Sequence, residues 1–367
     1  MQHALMIQGT MSGVGKSLVT AALCRICAQD GWRVAPFKSQ NMALSSFVTA
    51  DGREMGRAQA MQAEAAGRTP DCAMNPVLLK PTGDAQSQVI VNGLPRGTMG
   101  AAAYFAWRES LLPTIAASYQ KLASENDIVL IEGAGSPAEI NLKAHDIVNM
   151  GIARLTGAPV LLVGDIDRGG VFAQLVGTMA LLDADEKARV KGFLINKFRG
   201  DESLLRDGLV QLEGLTGVPV RGVLPYVPVA FDEEDSLSFS LAEGMRGSAG
   251  GFSADNACML DIALVRLPHI ANWTDFALLR EHSAVQLRTV TSARALGTPD
   301  AVLLPGTKNT LDDMRWLRAT GLDGAIRAAA RRGSYVLGIC GGYQMLGARV
   351  SDPLALEGGG TEAGLVL

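Results

Sequence analysis

A chain of 367 residues has room for two domains of ordinary size, and 48% apolar with 19% charged residues is a composition that buries real cores. A formal net charge of −4 leaves no basic footprint for nucleic acid; no apolar stretch reaches the roughly 18 residues a membrane helix needs, and the first residues lack a signal-peptide pattern. Five scattered cysteines (Cys24, Cys27, Cys72, Cys258 and Cys340) form no disulfide framework and suit a reducing cytoplasm.

The first apolar run, residues 4–8, predicts a buried strand. It leads into GTMSGVGKS (9–17) and then a helical pattern over 17–29. Backbone N–H groups of such a loop cradle phosphates, aided by the helix N-terminus. Gly13 and Gly15 give the turn, Lys16 reaches the outer phosphates and the Ser17 hydroxyl takes Mg²⁺. The spacing departs from the usual motif, with Thr10 at the first glycine position and Gly9 one residue earlier. Cys24 and Cys27 form C-x-x-C inside the apolar pattern of this helix, which reads as core packing.

A second strand, 34–37, runs into PFKSQNMALSS (36–46). Lys38, Ser39, Gln40 and Asn41 there suit a substrate with several carboxylates and amides. A helix is predicted over 55–66. MNPVLLKP (74–81) adds Asn75 and Lys80. Strands follow at 128–131, 160–163 and 192–195, the second of them ending in LVGDIDRGGVFA (162–173) with Asp165, Asp167 and Arg168 at its tip. A helix over 171–182 follows. Strands alternating with helices predict an α/β fold, a parallel sheet with helices on both faces, and its loops should meet at one crevice.

Near Pro225 the pattern stops. Residues 231–235 are acidic, and EGMRGSAGGFSADNA (243–257) is rich in Gly, Ser and Ala. This predicts a first domain at 1–235, a linker at 236–258 and a second α/β domain at 259–367. The second has strands at 261–267, 285–290, 301–304 and 335–339, with a helix over about 311–332. Its chain ends at GLVL, where another strand is expected to begin. GICGGYQMLG (338–347) delivers Cys340 from a strand into a glycine pair, the geometry of an exposed nucleophile.

The phosphate loop resembles the dethiobiotin-synthetase-like branch of phosphate-loop proteins. That resemblance implies Glu132 in LIEGAG (130–135) as an Mg²⁺ ligand, Glu54 as a second acidic ligand, and Asn196 in INKFRGD (195–201) as a reader of the adenine edge of ATP. The Cys340 elbow resembles the nucleophile of class-I-type glutaminases, with Gly306 and Gly341 near an oxyanion hole. A helix N-terminus beside a sulfur favours the thiolate.

Taken in order, PFKSQNM, MNPVLLKP, SQVIVNG, DIDRGGVFA, LPHIANWTDF, LLPGTKNTLDD and GICGGYQMLG resemble the cobyric acid synthase family from the first residue to the last. The residues alone reach ATP-activated amidation of a polycarboxylate. The resemblance implies more: four peripheral carboxylates of adenosyl-cobyrinic acid a,c-diamide, a corrinoid, amidated with ATP and with ammonia from glutamine.

The family carries a catalytic histidine well after the cysteine, and no histidine follows Cys340 here. The expectation is a C-terminally shortened glutaminase domain with impaired use of glutamine, while free ammonia still serves. His269 and His282 lie upstream and read as structural or substrate-adjacent. Competing readings are a cobyrinic acid a,c-diamide synthase, against which PFKSQNM argues, a nucleotide-switch ATPase, which needs no cysteine elbow, and a non-catalytic binding module.

Overall fold

The computed structural model describes residues 3–43, 46–83, 86–227, 259–271, 273–355, 357 and 359–367. The chain divides into two compact units, Met1–Ser238 and Phe239–Leu367. The expected linker and Cys258 lie outside the described residues.

The first unit is built on six parallel strands in the order Val220–Pro225, Val190–Phe198, Val160–Asp165, His3–Gly9, Ile128–Glu132 and Val34–Phe37. Their apolar runs are unbroken because both faces are covered. Along His3–Gly9, Met6 enters a large cluster with Phe37, Ile131, Leu162 and Phe193, whereas Ile7 enters another with Val14, Val19, Val163 and Leu194. Helix Lys16–Gln29 supplies Val19 to the second cluster; helices Leu112–Glu125 and Val171–Leu181 supply Ile115, Leu122 and Leu175 to the first. Cys24 packs with Val34 and Leu130, and Cys27 lies against them. Burial pushes the Cys24 thiol up, which suits a packing residue.

The sequence reading does not anticipate a second, four-stranded sheet in this unit: Gln40–Met42, Val77–Gly83, Gln86–Val91 and Leu94–Gly100. Its last three strands are antiparallel. Residues Glu54–Gly56 also pair, with Ser46–Val48, so the expected helix over 55–66 narrows to Arg57–Ala65.

The second unit has four parallel strands in the order Val285–Val290, Leu260–Val265, Ala301–Leu304 and Tyr335–Gly338. Ala263, Val265 and Val302 pack with Met314, Leu317 and Ile326, and Ile262, Leu264 and Leu303 pack with Phe276. The single helix expected over 311–332 is two, Thr310–Ala319 and Leu322–Arg331, broken at Gly321 with φ 71°. Near the chain end an antiparallel pair, Arg349–Asp352 with Gly360–Ala363, stands where a strand was expected only after it. No helix among the described residues is long and apolar enough to cross a membrane.

Candidate active site

The crevice at the carboxyl ends of the first unit's strands gathers Gly9, Glu132, Asp165 and Asn196 from four neighbouring strands. The phosphate loop joins His3–Gly9 to Lys16–Gln29, with Gly13 at φ 73° and Gly15 at φ 94°. A side chain at Gly15 would be strained and would strike Asn196 Nδ2 at 2.3 Å. Three loop carbonyls are held by side chains. Lys16 Nζ donates to Met11 O (3.1 Å), Lys197 Nζ to Gly13 O (2.7 Å) and Asn196 Nδ2 to Val14 O (2.8 Å). In a trans peptide N–H and C=O point opposite ways, so the N–H groups of Ser12, Val14 and Gly15 are turned away from these braces. Lys197 is itself held by Asp165 at 2.8 Å.

Glu132 ends its strand fully enclosed. Its Oε1 accepts from the Ser17 hydroxyl (2.7 Å) and from Lys38 Nζ (2.9 Å); its Oε2 accepts from Gln62 Nε2 (2.6 Å). Burial pushes the Glu132 carboxyl up, but the Lys38 ammonium and the hydrogen bonds from Lys38, Gln62 and Ser17 outweigh it and hold it below the usual carboxylate range. A hard divalent cation fits this donor set: a hydroxyl and a carboxylate oxygen already share one point beside the phosphate loop. The Gln62 Oε1 atom is also enclosed and has no hydrogen-bond partner among the described residues, an acceptor suited to a cation-bound water. No cluster of three or more His, Cys, Asp or Glu able to hold a metal occurs among the described residues, so such an ion would rely on nucleotide phosphates as well.

A cavity of about 910 Å³ opens beside this point, and Lys16, Ser17, Lys38, Gln40, Asn41 and Glu132 are among its lining residues. Gln40 Oε1 accepts from the Tyr104 hydroxyl (2.6 Å), and Asn41 Nδ2 donates to Gln59 Oε1 (3.2 Å). Arg108 reaches the same cavity, over the Phe105 ring, and its buried Nε has no partner among the described residues. Asp146 fixes a further stretch of wall, accepting from the N–H groups of Val148, Asn149 and Gly151.

In the second unit Cys340 is exposed at φ 51° and ψ −115°, between strand Tyr335–Gly338 and helix Gly341–Leu346. A Cβ at Gly342 would meet Leu304 O at 2.1 Å, and one at Gly341 would meet the Thr307 methyl at 2.6 Å. Only glycines allow the elbow to sit this close to the neighbouring strand end. The turn at Gly306 lies against the nucleophile: a Cβ built there stands 3.6 Å from Cys340 Cβ. Asp313 anchors that turn, accepting from the Thr307 hydroxyl (2.5 Å) and sharing a hydrogen bond with His269 Nδ1 (2.8 Å). Burial pushes the Asp313 carboxyl up despite these partners. His282 Nδ1 accepts from the Ala284 N–H of its own loop (3.2 Å).

Residues 5–238 match the family model of the CobQ/CobB/MinD/ParA nucleotide binding domain, and residues 261–366 that of the CobB/CobQ-like glutamine amidotransferase domain. Cobyric acid synthase from Lachnoclostridium phytofermentans is 55% identical over 100% of this chain and 70% of its own length. That from Sorangium cellulosum is 57% identical over 96% of this chain and 67% of its own. The chain belongs to the cobyric acid synthase family. It is an enzyme, an ATP-dependent glutamine amidotransferase ligase of cobalamin biosynthesis acting on a corrinoid.

Against this family's chemistry, the predicted residues divide by position. The structure brings Gly13, Gly15, Lys16, Ser17, Lys38, Gln40, Asn41, Glu132 and Asn196 together at one cavity. The remaining predicted residues of this unit do not line that cavity. Glu54 pairs with Lys80 and neither lines the cavity. Asn75 is spent on backbone, donating to Lys38 O and Val77 O and accepting from Gly56 N–H. Asp165 braces Lys197, Asp167 pairs with Arg199, and Arg168 lies near Gly13, so these three flank the phosphate loop. Sequence reasoning missed Gln59, Gln62, Arg108 and Lys197. Lys197 stood inside INKFRGD, and Gln59 and Gln62 inside the helix predicted over 55–66, while Arg108 stood in no stretch singled out.

Proposed function

We propose that the first unit phosphorylates peripheral carboxylates b, d, e and g of adenosyl-cobyrinic acid a,c-diamide and aminates each acyl phosphate. A carboxylate oxygen attacks the γ-phosphorus of ATP, and ADP leaves. Ammonia then attacks the carbonyl carbon, the C–O bond to phosphorus breaks, and phosphate leaves with the former carboxylate oxygen as the nitrogen loses a proton. The loop N–H groups and Lys16 bind the phosphates. Lys38 neutralises charge on the transferring group, and Gln40, Asn41 and Arg108 receive the substrate's carboxylates and amides. Mg²⁺, held by Ser17 and Glu132, would neutralise the phosphate oxygens during transfer. Asn196 reads the adenine edge as well as bracing the loop.

Ammonia comes from the second unit. The Cys340 thiolate attacks the glutamine side-chain carbonyl, ammonia leaves, and water hydrolyses the thioester to glutamate. N–H groups at Gly341 and the Gly306 turn stabilise the oxyanion. The reaction takes place in the cytoplasm, which suits the free thiols.

The observation that carries this reading is the meeting of Ser17, Lys38 and Glu132 within 3 Å at the edge of a cavity of about 910 Å³. The test uses substrate labelled with ¹⁸O in its carboxylates, with MgATP and ammonium chloride. One label per amide formed is expected in inorganic phosphate. Unlabelled phosphate would overturn the acyl-phosphate step.

A further inference from the structure

Gln59 and Gln62 take no part in phosphoryl or amide transfer, yet both are wholly enclosed and both approach Glu132. They stand three apart on helix Arg57–Ala65, hence on one face. Enclosing an amide costs free energy unless it is paired, and glutamine also gives up rotamer freedom. Packing alone is better served by methionine or leucine. Two such residues side by side therefore ask for a polar task.

The task is visible in the bonds. Gln62 Nε2 donates both to Glu132 Oε2 (2.6 Å) and to the main-chain carbonyl of Ser17 (3.2 Å). The amide cannot be turned over, because Oε1 would then face two acceptors. Gln59 Nε2 lies further from the same carboxylate oxygen (3.4 Å), and its Oε1 accepts from Asn41. Glu132 is thus held through Oε2 from the helix side, which leaves Oε1 to the Ser17 hydroxyl and Lys38. One side-chain amide ties together the two residues assigned to the cation, one through its backbone and the other through its carboxylate.

The geometry points to Gln62 as a positioning residue for the divalent cation. It fixes the separation of Ser17 and Glu132 through its Nε2. Gln59 is a weaker second support. This rests on the reading of Ser17 and Glu132 as cation ligands. Outer-shell partners of this kind typically change metal affinity by about 10- to 100-fold when removed.

The test is calorimetric titration of Mg²⁺ into the full chain saturated with a non-hydrolysable ATP analogue. Gln62→Met, which keeps length and volume, raises the Mg²⁺ dissociation constant by about 10- to 100-fold. Analogue affinity measured in EDTA stays within about twofold, and Gln59→Met shifts the Mg²⁺ constant by less than Gln62→Met. Gln62→Asn, too short to reach Glu132, repeats the shift and stands in should the methionine variant fail to fold. A folded Gln62 variant with wild-type Mg²⁺ affinity overturns the proposal and leaves the cation-site reading standing. A wild-type chain whose analogue binding ignores Mg²⁺ overturns both.

Discussion

Glu132→Gln takes from Lys38 a carboxylate oxygen 2.9 Å away while the ammonium stays enclosed. Breaking a buried pair from one side costs about 3–5 kcal/mol, and replacing both partners by apolar groups costs far less. Urea titration is therefore expected to show a loss of that size for Glu132→Gln, most of it recovered in Lys38→Met/Glu132→Gln. The pH dependence follows from the same pair. The folded carboxyl lies below its usual range, so its stabilisation is present above the unfolded value of about 4.3 and is lost as pH falls through the folded value. Stability of the wild type should fall more steeply on acidification below about pH 4 than that of the double variant. Lys16→Ala acts on turnover instead. Its ammonium donates to Met11 O and Gly135 O and, in the proposed reading, binds phosphate; losing one such contact to a transferring group lowers rate by about 10²- to 10³-fold. Ammonium-dependent amidation and a thermal melt, measured together, check that activity falls while the fold stays.

The elbow at Cys340 invites two substitutions of opposite effect. A non-glycine residue at φ 51° and ψ −115° holds about 1–3 kcal/mol of strain. Glycine removes that strain and loses about 0.5–1 kcal/mol to unfolded-state freedom, so Cys340→Gly should raise the unfolding free energy, whereas Gly342→Ala should lower it because the added methyl meets the Leu304 carbonyl. Denaturant titration of both variants decides; a neutral or negative effect of Cys340→Gly would show an unstrained turn. The glycines around this elbow made it readable in the sequence, as did those of the phosphate loop. Parallel strands were readable too, because burial on both faces leaves continuous apolar runs such as LMI and VLI. The sheet Val77–Gly100 was not read, although Asn92 and Gly93 stand at φ 48° and 76°, the two-residue hairpin that Asn-Gly favours. The glutamines under Glu132 were illegible for a different reason. A polar residue on a helix ordinarily faces water, and only the tertiary fold shows that Gln59 and Gln62 do not. For Glu54 the sequence showed only an acidic residue fit for a metal ligand, while its ion-pair partner across the fold, Lys80, is 26 residues away in a different strand.

Each of the two units carries one half of the chemistry, which separates their readouts. Cys340 lies in the second unit and the nucleotide residues in the first. Cys340→Ser should leave ammonium-supported amidation within about twofold of wild type while abolishing covalent labelling by a glutamine-analogue electrophile. A large loss of ammonium-supported turnover would tie the thiol to the synthetase step itself. The braces on the phosphate loop carry a last consequence, in time rather than in strength. Lys197 and Asn196 already grip the carbonyls of Gly13 and Val14, so the loop has no search to complete when a nucleotide arrives. Its capture should run at the pace of encounter, so that differences in nucleotide affinity show in how long ADP lingers rather than in how fast ATP arrives.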